Sequence, residues 1–252
     1  MGMKLTAKGT LAPWNHKLIP PVTRGLQAWF TFDTDAARFG FNRAMDKPDA
    51  EVIGTPTAFA THGRFKGLVN FLKTQIPDSA EMTILVVGKA VNAPPVAGGG
   101  GPDSPFYAGG FSGNSVDPTA PGAGYGVSLF HGAPTSVTGN AGRLNTAGTG
   151  PTSGSAILEG EVATSWGLRA VRCSANLTQT FNLTRNVVLS GTVTTRRVLS
   201  DSVIRIGGAA SVFGGEVDIS AVAIYSVALS DAEMALVYNA MRKRMSRLGI
   251  AI

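Results

Sequence analysis

The stretch Glu216-Val217-Asp218-Ile219-Ser220-Ala221-Val222-Ala223-Ile224-Tyr225 decides how this chain is read. It is rich in Val and Ile and ends on an aromatic, the composition of a strand. At its start Glu216 and Asp218 alternate with Val217 and Ile219, so one face turns to a core and the other to solvent. Soon after it the period changes. Ser230 can cap a helix, Glu233 three residues on completes a capping box, and Met234, Val237, Met241, Met245 and Leu248 recur at helical spacing. Asp231 and Glu233 stand at the start of this helix, and Arg242, Lys243, Arg244 and Arg247 at its end, which is the arrangement the helix dipole favours. A helix over about 231–248 therefore closes the chain.

Working toward the N-terminus, the strand period returns repeatedly. From Gly25, Leu26, Ala28, Phe30 and Phe32 share one face and Gln27, Trp29 and Thr31 the other. Further strand runs are expected over 65–72, 82–88, 125–131, 156–162, 166–173, 177–183, 193–199 and 202–206, with Gly63, Pro77-Asp78, Gly191 and Gly207-Gly208 as turn signals between runs. Many short strands and one helix predict an all-β fold, an antiparallel two-sheet sandwich; 252 residues fit one such domain. The domain is expected over 25–252. Residues 92–155, with Gly98-Gly99-Gly100-Gly101 and repeated Pro and Thr-Gly pairs, are expected to form a loop-rich insertion. Residues 1–24 are basic and interrupted by Pro13, Pro20 and Pro21, and they read as an extended N-terminal arm.

Composition narrows the function. Hydrophobic residues make up 44% and charged ones 15%, a globular rather than a disordered balance. The net charge is +6, but the basic residues gather at the two ends without interleaved aromatics, which argues against nucleic acid. Cys173 is the only cysteine, so no intrachain disulfide forms. The first residues lack the apolar run of a signal peptide, and no stretch is long enough to span a bilayer; synthesis in a host cytoplasm is expected, with no membrane insertion.

Three segments carry a resemblance to a family: Gly25-Leu26-Gln27-Ala28-Trp29-Phe30-Thr31-Phe32-Asp33, Gly67-Leu68-Val69-Asn70-Phe71 with Met82-Thr83-Ile84-Leu85-Val86-Val87-Gly88, and Ile204-Arg205-Ile206-Gly207-Gly208 with Phe213-Gly214-Gly215 leading into the opening strand. Together they resemble the concanavalin A-like, laminin-G-like jelly-roll superfamily, of the kind found in phage virion proteins. The resemblance implies a jelly-roll sandwich and members that bind sugars, bind proteins or cleave glycosides. Cleavage needs two carboxyl groups on one groove. Glu159 with Glu161 and Glu216 with Asp218 have the spacing, but neither pair extends into the three alternating acids of the family's hydrolases, so no enzyme is expected. His16, His62 and His131 lack paired-ligand spacing and no metal or cofactor site is expected; Asp33, Asp35, Asp46 and Asp49 read as turn caps, with an oxygen-rich calcium loop as the alternative.

Two functions are expected on these grounds. The first is a non-enzymatic structural and attachment subunit of a phage-like virion, in a tail, baseplate or head decoration. Lys4, Lys8, Trp14 and Lys17 would dock it on other virion proteins or copies of itself. The alternative is a free carbohydrate-binding module that reads a surface polysaccharide through loop residues Tyr107, Phe111, Asn114 and Asp117.

Overall fold

A computed structural model describes residues 17–33, 35–96 and 99–252, and in them the alternating side chains close two facing antiparallel sheets. The first contains β1 (Leu26–Thr31), β3 (Thr57–Ala58), β4 (Gly63–Lys66), β6 (Met82–Ala90), β13 (Gly167–Cys173), β14 (Thr178–Asn182), β15 (Val187–Ser190) and β17 (Glu216–Tyr225). The second contains β2 (Glu51–Ile53), β5 (Phe71–Pro77), β7 (Phe106–Gly109), β10 (Ser128–Ala133), β11 (Ser136–Leu144), β12 (Pro151–Glu159) and β16 (Val203–Ile206). A small hairpin joins β8 (Gly113–Asn114) to β9 (Ala123–Gly124). Spatial order is β15-β14-β13-β6-β17-β4-β3 in the first sheet and β12-β11-β10-β7-β16-β5-β2 in the second. The antiparallel sandwich expected from the sequence is the fold observed.

The strand that opened the sequence reading is central. Its N-terminal half pairs with β4 and its C-terminal half with β1, while β6 runs along the other edge. Phe30, Phe32, Phe65, Ile84, Val86, Val217 and Ile219 fill the space between the sheets. The opposite face of the first sheet is apolar where α1 (Asp231–Arg247) covers it. Met234, Val237, Met241 and Met245 pack there on Trp29, Leu85, Val87, Ala221, Ala223 and Tyr225. Burial on both faces explains the unbroken apolar run from Ala221 to Tyr225.

Ser230 accepts from the Glu233 amide at 3.2 Å, and Glu233 returns the bond to the Ser230 amide at 2.8 Å, so the capping box forms as expected. Ser230→Ala is therefore expected to lower unfolding free energy by about 1 kcal/mol, read from urea denaturation midpoints. An unchanged midpoint would show that the helix start is held by its packing alone.

Several expectations are corrected. Residues 92–155 are rich in loops, as expected, but they are not an insertion: β7, β10 and β11 within them are interior strands of the second sheet. The run 65–72 is two strands in opposite sheets, β4 and β5, joined by a turn in which Leu68 takes a φ of 66°. Residues 193–199 contribute an isolated bridge, Arg197 with Arg143, rather than a strand, and β15 was not anticipated. The described part of the presumed arm, 17–24, lies along the body. Leu18 bridges to Ala44 and Val22 is buried.

Candidate functional site

Beyond the end of α1 the outer face of the first sheet changes character. Arg244 reaches the Ser220 hydroxyl at 3.4 Å, and that hydroxyl donates to the Thr61 carbonyl at 2.7 Å; past this point the strands present charge instead of apolar surface. The pattern follows from strand alternation. Gly63 and Phe65 point inward on β4, leaving Arg64 and Lys66 outward, and Val217 and Ile219 do the same for Glu216 and Asp218 on β17.

Register then sets one row across three adjacent strands: Arg64 is opposite Asp218, and Asp218 is opposite Lys89. Asp218 is 1% exposed and accepts from Arg64 Nε at 2.8 Å and Nη2 at 3.1 Å, a two-point grip that leaves Nη1 outside the fork. Lys89 Nζ stands 3.8 Å from the same carboxylate and His62 Nε2 3.5 Å. A second row, Lys66 with Glu216 at 3.9 Å, lies one step toward the sandwich end.

Aromatic rings border the row. Phe59 stacks on His62 with centroids 4.6 Å apart, and His62 meets Trp166 edge-on at 5.3 Å. Arg64 lies over Phe59 at 5.0 Å and Lys89 over Trp166 at 5.6 Å. Phe59 is exposed and Trp166 half-buried. Burial holds the His62 imidazole below its ordinary pKa, reinforced by Arg64 and Lys89 and opposed by Asp218, so the ring is neutral near pH 7.

Past Lys66 and Glu216 the surface opens into a polar cleft of about 490 Å³, walled by Asn92, Asp103, Gly214 and Gly215. The wall needs glycine. A Cβ on Gly214 would lie 2.3 Å from the Pro102 carbonyl oxygen, and one on Gly215 2.6 Å from that of Asp103.

The polar groups of this face are committed to one another. Thr61 Oγ1 lies 2.9 Å from His62 Nδ1, but Nε2 is too far from Asp218 for an orienting hydrogen bond, and both Asp218 oxygens are held by Arg64. The other acidic pair is split: Glu159 is exposed, whereas Glu161 is buried against Arg169 at 2.7 Å. Among the described residues no group of three or more His, Cys, Asp or Glu is placed to hold a metal ion. Asp35 accepts from the Ala37 amide, Asp49 from the Asn42 amide, and Asp33 pairs with Arg244.

The residues singled out from sequence lie elsewhere. Tyr107 is not a loop residue: it belongs to β7, is 1% exposed and faces the space between the sheets, where a ligand at the surface does not reach it. Phe111, Asn114 and Asp117 lie along the connection from β7 to β10, at the other sheet, each with its own partners. Phe111 packs edge-on to Phe213 at 5.0 Å and to Tyr125 at 5.7 Å, and Asn114 donates to Asp201 at 3.1 Å. Asp117 is held at a pKa of about 2 by hydrogen bonds from Thr119 and Arg196. Lys17 is turned onto the body, donating to the Asn42 carbonyl at 2.6 Å; Lys4, Lys8 and Trp14 lie outside the described residues. Sequence reading missed Phe59, His62, Arg64, Lys89 and Trp166. The alternation of Arg64 and Lys66 with inward residues was the available signal; cross-strand register brings Arg64 and Lys89 together, while Phe59 and His62 come from the turn between β3 and β4 and Trp166 from the residue before β13.

No family model matches the chain, and no curated protein sequence does. Solved structures share its fold. A Trypanosoma rangeli sialidase in complex with sialic acid superposes with a TM-score of 0.55 at 13% identity, over 86% of this chain and 33% of that one. The binding domain of botulinum neurotoxin DC in complex with SialylT gives 0.56 at 8% identity, over 86% and 52%. The HCR/D W1238A mutant gives 0.57 at 10%, over 87% and 53%. The chain thus spans about a third of the sialidase and about half of the other two; at these identities the likeness shows a common β-sandwich fold.

Proposed function

We propose that this chain is a non-enzymatic carbohydrate-binding module for attachment, and that the outer face of β4, β17 and β6 is its contact surface. The observation that carries the reading is the row of Phe59, His62 and Trp166 beside hydrogen-bonding side chains on paired strands. A sugar ring has an apolar face that packs on an aromatic and hydroxyls that need fixed polar partners; the face and its cleft supply both. The sandwich likeness to a sialidase bound to sialic acid and to a neurotoxin binding domain bound to SialylT supports the reading. Carried on a virion, as the sequence led us to expect, the same face would meet host surface polysaccharide. The test is a glycan array followed by calorimetry on the full chain. Phe59→Ala and Trp166→Ala are each expected to weaken the best glycan about tenfold or more, with the far-ultraviolet spectrum unchanged. Undiminished binding by both folded variants would place the contact surface elsewhere.

A further inference from the structure

The charges of this face add a specificity that its rings do not. Two cations, Arg64 and Lys89, flank the single carboxylate Asp218, so the row keeps one unit of positive charge, and neutral His62 leaves that excess unchanged. Asp218 is buried and its oxygens are engaged by Arg64, whereas the two cations stay about one-third exposed, at 35% and 30%. The cations therefore face outward and the anion does not. Lys89 is 3.8 Å from Asp218, beyond hydrogen-bond reach, so its ammonium retains donors for another partner; Arg64 retains Nη1. Both cationic groups also lie over rings, Lys89 on Trp166 and Arg64 on Phe59, which fixes where an anion would sit relative to an aromatic platform.

We infer that the sugar bound here is acidic, its anionic group seated between Lys89 and Arg64 while its ring lies against Trp166 or Phe59. This rests on the module reading above and deepens it. A carboxylate and a sulfate ester offer the same acceptor chemistry, so both are probed. Binding of oligogalacturonate is compared with that of its methyl ester, and binding of dextran sulfate with that of dextran, by calorimetry on the full chain at low and high salt. At least one acidic form is expected to bind about tenfold or more tightly than its neutral counterpart, with the advantage shrinking as salt rises. Which pair shows the advantage tells carboxylate from sulfate. In Lys89→Gln the acid-to-neutral affinity ratio is expected to fall toward one; this variant spares the Arg64–Asp218 pair and so keeps the fold. Equal affinity for acidic and neutral forms, or a ratio unmoved in Lys89→Gln, overturns the charge inference and leaves the module reading standing. Failure of every sugar to bind overturns both.

Discussion

Replacing Glu161 with alanine is expected to lower the unfolding free energy by about 3–5 kcal/mol, because it strands a buried guanidinium. Glu161 is 2% exposed; its Oε2 meets Arg169 Nε at 2.7 Å and its Oε1 accepts from Asn182 at 2.6 Å. Arg169, also 2% exposed, donates onward to the Gly88 carbonyl at 2.8 Å. Burial pushes the Glu161 carboxyl up, but Arg169 and the bonds from Asn182 and Arg169 outweigh it, leaving the group below its ordinary range. The stabilisation is therefore present above the ordinary carboxyl pKa and is lost as pH falls through the lowered one. The double variant Glu161→Ala with Arg169→Met should recover much of the loss, since no unpaired charge then remains inside. Urea denaturation of the three variants decides the matter: a single-variant loss below about 1 kcal/mol would mean the pair is screened by water.

Acid unfolding is expected to begin well above carboxylate pKa values, driven by His131. Its Nδ1 donates to the Ser136 carbonyl at 2.5 Å, which leaves Nε2 to accept from the Tyr107 hydroxyl at 3.0 Å. Burial, reinforced by the charge of Arg169 and opposed by the Ser136 bond and Glu161, pushes the ring from 6.5 down to about 3. Between those values the unfolded chain holds a proton that the folded chain lacks. Stability should then fall by about 1.4 kcal/mol for each unit of pH lost. Tyr107 is driven the other way, up to about 12 by burial, so it stays a hydrogen-bond donor throughout. Urea midpoints between about pH 7 and about pH 4 should drop steeply for the wild type and less steeply for His131→Gln. Parallel profiles for the two proteins would rule His131 out as the source.

Much of the sandwich was legible because its deciding strands alternate. β1 has Phe30 inside and Trp29 under the helix, and the outer face of β17 changes from polar to apolar where α1 begins to cover it. The helix was legible from its cap. β11 was not, for a physical reason: its inward positions are Val137, Gly139, Ala141 and Arg143, too small or too polar to mark a core. Gly139 is small because the opposite sheet comes close; a Cβ there would lie 2.4 Å from Thr180 Oγ1. Arg143 is buried because its guanidinium bonds the carbonyls of Ala175, Ser174 and Thr195. The candidate face escaped notice for a different reason. Arg64, Lys89 and Asp218 are far apart in the chain, and only register makes them neighbours.

That register bears on how the surface could evolve. Because Arg64, Asp218 and Lys89 project from strands already bonded to one another, a ligand of the proposed face would meet groups whose backbone has nothing left to order, and little entropy would be lost at encounter. Selection can then retune preference by exchanging single outward side chains while the hydrogen-bonded ladder beneath stays constant. The hairpin of β8 and β9 stands on the opposite sheet and is free to drift without disturbing that choice.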